Sequence, residues 1–338
     1  MNLYDDMEAV AAEASELPPA EHPPLITEPI GADAALRKRI EALAQDFSIE
    51  VLPRTARKVS GFAELLPART RVFIPFLPGA RFADSVPLAI RLRREGMEPV
   101  PHIAARRIAS SGELGETLDR LRSDAGVTQC LVIAGDPKTA AGPFADSLAV
   151  LETGTLEKNG METIFVGGQP EGIPGVPSQA VEAALIRKNE YARSSSADIR
   201  LITQFTLDLH AFTTWQQRLG DLGNRLPVHI GIAGPTSLSG LLKFAALTGA
   251  SASLRAMRRY GAKLTQLASE AAPDMFIAHL ARQTPQYSQL AEEGTGASRI
   301  AGLHVYTFGG FHQAATWMMA LRDGRFALRD DRAGFRVG

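Results

Sequence analysis

Residues 47–54 read Phe-Ser-Ile-Glu-Val-Leu-Pro-Arg, and the glutamate at position 50 is the feature on which the fold reading turns. Ile49 and Val51 flank it in a short run that ends at Pro53, so the stretch reads as a buried strand, here taken as Ser48–Leu52. A parallel strand covered on both faces should be continuously apolar, and a carboxylate inside one needs a reason. The C-terminal rim of a closed barrel supplies that reason, because functional side chains project there from strand ends.

Working outward, the same type of run recurs at Val72–Phe76, Pro99–Ile103, Gln129–Ile133, Thr163–Val166, Arg200–Gln204, Val228–Ile232 and Leu303–Phe308. Helical spacing fills the intervals at Asp84–Glu95, Leu114–Ala125, Phe144–Asn159, Ser178–Ala192, Leu209–Leu219 and Leu238–Thr248. Strands alternating with helices predict a parallel sheet, and eight strands suffice to close a (β/α)8 TIM barrel. An open doubly wound sheet is disfavoured, since neither G-x-G-x-x-G after the first strand nor a P-loop motif occurs. The connection from about Ala233 to Ala301 is long enough for extra helices before the last strand.

Three regions follow. Residues 1–33 form an N-terminal arm, acidic at first and then rich in proline at positions 18, 19, 23, 24 and 29. Residues 34–321 form the barrel, and residues 322–338 a tail with Arg325, Arg329, Arg332 and Arg336. The arm is read as either a mobile tail or a strap packed on the barrel or on a neighbouring subunit, and the tail as either solvated or in contact with a neighbour, which leaves a homo-oligomer possible.

The 338 residues are 45% hydrophobic and 22% charged with a formal net charge of −1, an ordinary globular balance. Such a balance gives no electrostatic reason to expect nucleic acid as a partner. The acidic start lacks the pattern of a signal peptide and no apolar run is long enough to span a bilayer, so a cytoplasmic protein without a membrane partner is expected. The single cysteine, Cys130, excludes an intramolecular disulfide and reads as an inert core residue. The seven histidines show no H-E-x-x-H spacing, no metal site is expected, and His102 and His229 read as hydrogen-bonded core or rim residues.

Polar residues gather at the strand ends. Partial desolvation of Glu50 would raise its pKa and make a general acid usable near neutral pH; the competing reading is a salt bridge to a nearby Arg or Lys. Ala134-Gly135-Asp136 closes the fourth strand, with Gly135 permitting close backbone approach and Asp136 at the rim, or else capping the next helix. Gln204 closes the sixth strand with an amide suited to a flat heterocycle, or else is a satisfied core amide. Glycines in Ile230-Gly231-Ile232-Ala233-Gly234 and at Gly309-Gly310 leave room for a ligand or simply make turns.

Taken in order, the pieces resemble methylenetetrahydrofolate reductase from about Ala34 to Leu321. They are Glu50 followed by Pro53-Arg54-Thr55, then Pro101-His102, Ala134-Gly135-Asp136, Pro170-Glu171, Lys188, Ile202-Thr203-Gln204-Phe205 and His304-Val305-Tyr306-Thr307. The resemblance implies a barrel that binds FAD at its C-terminal mouth. NADH or NADPH would reduce the flavin, which would then pass hydride to 5,10-methylenetetrahydrofolate and give 5-methyltetrahydrofolate. It implies Glu50 and Asp136 as catalytic residues, with Glu50 the acid that opens the folate ring to an iminium. Gln204, Asp136 and Tyr306 would hold the folate. His102, Ala134, Gly135, Asp136, Gln169, Arg187 and Lys188 would hold the cofactor, Lys188 facing its phosphates.

The sequence departs from the family pattern where the flavin is held. Ala134 stands in place of an arginine, Gln169 in place of a tyrosine and Ile173 in place of a histidine. Arg106, Lys138 or Arg187 would have to supply the missing charge. The departures keep open a reductase of the same folate that works without flavin, and a folate-binding paralogue without catalysis.

Overall fold

The computed structural model describes residues 32–76, 79–173, 175–206, 208–236, 273–292, 300–331 and 333–337. Eight parallel strands close into a barrel in sequence order, confirming the (β/α)8 reading. They are β1 (Ser48–Glu50), β2 (Arg71–Ile74), β3 (Glu98–Ala104), β4 (Gln129–Ile133), β5 (Thr163–Gly168), β6 (Asp198–Thr203), β7 (Val228–Ala233) and β8 (Ile300–Tyr306). The ring closes where Ser48 and Ile49 of β1 stand opposite His304 and Val305 of β8.

Period-two alternation divides the core into two shells. Phe73, Val100, Leu131, Phe165 and Ile202 point inward and fill the barrel. Ile49, Val72, Ile103, Val132, Ile164, Leu201, Ile230 and Val305 point outward into the layer of helices. Cys130 belongs to the outer shell, where burial pushes its thiol pKa well up and leaves it inert as expected.

The element boundaries differ from expectation for local reasons. Pro53 starts a short helical turn, Pro53–Ala56, so β1 ends at Glu50. The helix expected over Phe144–Asn159 is two helices, Ser147–Leu151 and Thr155–Lys158, because Gly154 between them adopts φ +63°. Asp146 caps the first by accepting from the Ala149 amide at 2.9 Å. β8 stops at Tyr306, and Phe308 beyond it takes the unusual φ of +49°. In the long connection before β8, the helix Asp274–Glu292 is present, whereas the helix expected at Leu238–Thr248 lies outside the described residues.

The arm lies outside the described residues to position 31, and the first helix begins at Ala32. The C-terminal segment folds back as an antiparallel pair, Phe326–Leu328 with Phe335–Val337. Phe335 is 2% exposed and stacks on Trp317 with ring centres 6.3 Å apart. Arg37 of the first helix lies over the Phe326 ring at 4.6 Å and bonds the Gly324 carbonyl at 2.8 Å. Among the described residues, no helix is long and apolar enough to cross a membrane.

The tail thus acts as part of the core. Phe335→Ala is expected to lower the unfolding free energy by about 3–5 kcal/mol in chemical denaturation. A change below about 0.5 kcal/mol would show that the segment is dispensable surface.

Candidate functional site

β1 delivers Glu50 to the C-terminal mouth at its last residue, and the carboxyl is only 4% exposed. Its parity matches Ser48, which faces the interior. Phe73 stands opposite Glu50 in register on β2, with ring contacts to His304 at 4.6 Å, Phe165 at 5.1 Å and His102 at 5.8 Å. Two histidines flank the carboxyl: His304 Nε2 lies 3.4 Å from Glu50 Oε1 and His102 Nε2 3.6 Å from the same oxygen. The salt bridge to an Arg or Lys that the sequence left open is replaced by these two imidazoles.

Burial dominates the electrostatics. Desolvation raises the Glu50 pKa to about 7 against a smaller opposing pull from His102. The same burial lowers His102 to about 4 and His304 to about 3, so both rings are neutral near pH 7. Glu50 is therefore poised between its acid and its carboxylate at that pH.

His304 is positioned from both sides. Ser48 Oγ lies 2.9 Å from its Nδ1, and the Tyr306 ring meets it edge-on at 4.8 Å. A serine hydroxyl donates or accepts by turning, so it supports either tautomer of the ring. Thr307 Oγ1 donates to the Glu50 carbonyl at 3.1 Å and closes β1 against β8. Ser48, His304 and Thr307 received no role from the sequence. The signal was available as shared inward parity: Ser48 and Glu50 on one strand face His304 and Tyr306 on its neighbour.

Asp136 and Gln204 stand at the same end of the barrel, just beyond β4 and β6. Asp136 caps no helix; it receives both prongs of Arg107, at 2.8 and 2.6 Å. This fork tethers the β4 loop to the end of β3, and Arg106 reinforces it by bonding the Pro137 and Ala145 carbonyls. Ala134 takes part through its carbonyl, which accepts the Arg106 amide at 2.9 Å. Gly135 has φ +85°, and a Cβ there would meet Ala104 Cβ at 3.1 Å, so its glycine serves the turn and its packing. Gln204 is half-buried, and its backbone N–H donates to the Gly168 carbonyl at 2.9 Å.

Tyr306 is buried, and its hydroxyl donates to the Thr203 carbonyl at 3.0 Å. Gly231 makes room for that contact: an added Cβ would lie 2.2 Å from Thr203 O and 2.8 Å from the Tyr306 ring. The space that the sequence assigned to a ligand at Gly231 is occupied by the protein itself. Glu171 of the Pro170-Glu171 pair accepts from Thr206 Oγ1 at 2.6 Å and joins the loops after β5 and β6.

The residues expected to hold the cofactor separate in space. His102 lies deep, against Glu50 and Phe73. Gln169 follows β5 directly and is half-buried. Lys188 reaches inward from the helix Ser178–Ser194, is 9% exposed, and donates to the Gly167 carbonyl at 3.0 Å. Burial lowers its pKa to about 8, and no carboxylate among the described residues lies within ion-pair distance. Arg187, the next residue back, turns to the outside and pairs with Glu152.

His229 departs from its expected hydrogen-bonded state. It is fully buried, neither ring nitrogen has a hydrogen-bond partner among the described residues, and it meets Phe165 edge-on at 5.3 Å. Burial lowers its pKa to about 2, so it stays neutral.

Fold and site together define a (β/α)8 barrel whose C-terminal mouth holds a buried carboxyl of raised pKa. No family model matches the chain. Among solved structures it is similar to a GH18 chitinase from Pseudoalteromonas aurantia, with a TM-score of 0.45 and 12% identity over 82% of this chain and 99% of that one.

The titration of Glu50 carries a stability signature. A folded pKa of about 7, above the ordinary carboxyl value of 4.5, contributes stability that is complete below about pH 4.5 and lost as pH rises through 7. The lowered histidines act with the opposite sign, contributing above pH 6.5 and losing it as pH falls through about 4 and 3. Subtracting a Glu50→Gln variant at each pH isolates the first effect. Between pH 4 and 8 the variant should gain about 3 kcal/mol relative to the natural protein. A difference that does not change with pH would contradict the assignment.

Proposed function

We propose that the protein is a reductase of one-carbon metabolism that interconverts 5,10-methylenetetrahydrofolate and 5-methyltetrahydrofolate, drawing hydride from NADH or NADPH. The observation that carries this reading is Glu50, a buried carboxyl with a pKa of about 7 at the mouth of the barrel. Opening the folate's five-membered ring to an iminium requires a proton on the departing nitrogen. A neutral carboxylic acid at pH 7 can donate it.

The residues around Glu50 suit both halves of that step. While Glu50 is protonated, its O–H can face the bare Nε2 of His304, with Nδ1–H directed to Ser48 Oγ. Once Glu50 has given its proton away, the other tautomer places Nε2–H toward Oε1, and Ser48 donates to Nδ1. A neutral imidazole thus accompanies the carboxyl through the cycle with no charged partner to fix it in one state. Phe73 and Phe165 exclude water from below. Gln204 and Asp136 stand at the same opening, where a pterin edge would need mixed donors and acceptors.

The family resemblance implies FAD, and Lys188 fits part of that role. It is a buried amine that donates to a carbonyl at the end of β5 and feels the charge of Asp146, the kind of group that meets a phosphate. When bound there, FAD would relay hydride from the nicotinamide to the folate. A second reading, direct hydride transfer without flavin, is favoured by Arg187, whose pairing with Glu152 removes it from the expected grip.

Purified protein supplied with NADH or NADPH, FAD and 5,10-methylenetetrahydrofolate should form 5-methyltetrahydrofolate. Glu50→Gln should reduce the rate by about 10²–10⁴-fold while folate binding persists. Turnover in strictly flavin-free protein would select the second reading. Folate binding without turnover under any of these conditions would overturn both and leave a non-catalytic binding protein.

A further inference from the structure

Two adjoining cavities lie toward the opposite, N-terminal end of the barrel. One of about 320 Å³ is lined by Arg69, Arg71 and Arg322 together with Asp46, Glu98 and Gln129. Arg71 shares the inward parity of Phe73, two residues along β2, so its side chain enters the barrel from below. Its Nη2 pairs with Asp46 at 2.6 Å, while its buried Nε has no partner. The Nε of Arg322 is likewise buried without a partner, and Arg322 forms no ion pair among the described residues.

Arg69 presents its side chain from a backbone with φ +64°, held by its amide bond to the Gly96 carbonyl at 2.7 Å. Glycine would adopt that conformation more easily, and such left-handed residues gather where function maintains them. Three guanidinium groups against two carboxylates leave one positive charge (3 − 2 = 1). Both carboxylates are already engaged, Asp46 by Arg71 and Glu98 by Arg93 at 2.8 Å. Arg69 is largely exposed and lies 4.0 Å from Glu98, so solvent carries its charge, whereas the buried Nε groups of Arg71 and Arg322 still lack a partner among the described residues.

A second cavity, of about 440 Å³, shares Pro67 and Arg322 with the first and is lined by Leu65, Leu66 and Met319. The arginine-rich chamber therefore adjoins one whose apolar wall of Leu65, Leu66 and Met319 stands beside Glu64 and Arg325.

We propose that the N-terminal mouth of the barrel is a second ligand site, for a small organic anion. Its phosphate or carboxylate head would lie against Arg71 and Arg322, and its apolar body along Leu66 and Met319. Guanidinium groups present paired donors that match the oxygens of either head. The site does not depend on the reading of Glu50, which lies at the other end of the same strands.

Isothermal titration of the full chain with phenyl phosphate, benzoate and inorganic phosphate tests the site. Saturable binding is expected for phenyl phosphate or benzoate, and the tighter of the two identifies the preferred head. Phenyl phosphate should bind at least about tenfold more tightly than inorganic phosphate, because its ring lies along the apolar wall of Leu66 and Met319. Arg322→Gln and Arg69→Gln, each with an unchanged Tm, should weaken binding, Arg322→Gln by about tenfold or more. No saturable binding by any of the three probes, or binding unaffected by both substitutions, would overturn the proposal. Equal affinity for phenyl phosphate and inorganic phosphate would overturn the two-chamber site.

Discussion

A carboxyl enclosed by eight parallel strands has almost no water to solvate its charge, and that deprivation governs the upper half of this barrel. Burial raises the Glu50 pKa to about 7, because ionisation would place a charge beside Phe73 with no Arg or Lys in contact among the described residues. The choice of neighbours preserves this state. An arginine beside Glu50 would have fixed it as a carboxylate and removed any acid function. Two buried, neutral imidazoles stand beside it without imposing a charge, and His304 is within hydrogen-bond distance of its Oε1.

The surrounding construction places that carboxyl with little freedom. Thr307 holds the Glu50 carbonyl, Ser48 holds His304, and Tyr306 spans from β8 to the Thr203 carbonyl across β7. Gly231 is required for that last span, since any side chain there would strike the backbone of β6. The Asp136–Arg107 fork and the Glu171–Thr206 bond then fix neighbouring loops of the rim. A reactive group held this way loses little free energy to reorganisation when a ligand arrives.

The barrel was legible in the sequence because its strands obey simple rules: apolar runs of strand length, separated by helical periodicity. All eight were located, with errors of a few residues at their ends. Those errors have local causes, such as Pro53 ending β1 early and Gly154 dividing a helix. Glu50 was legible as well, since a charge within an apolar strand is conspicuous. Its partners were not, because His304 is 254 positions away and contact across the closure depends on register between β1 and β8. Arg107 was missed for a similar reason: nothing near Asp136 in sequence announces a fork arriving from the end of β3. Arg187 and Lys188 show the limit most plainly. Adjacent in sequence, they point to opposite sides of one helix, one inward to Gly167 and the other outward to Glu152.

The central claim concerns one proton on one side chain, and it can be observed there. The natural protein and a Glu50→Gln reference, both labelled with ¹³C at the glutamate carboxyls, allow the Glu50 resonance to be assigned and followed through a pH titration. The account predicts a midpoint near 7. A midpoint near the ordinary 4.5 would mean that the carboxyl is solvated or paired with a cation, and the acid at the mouth of this barrel would not exist.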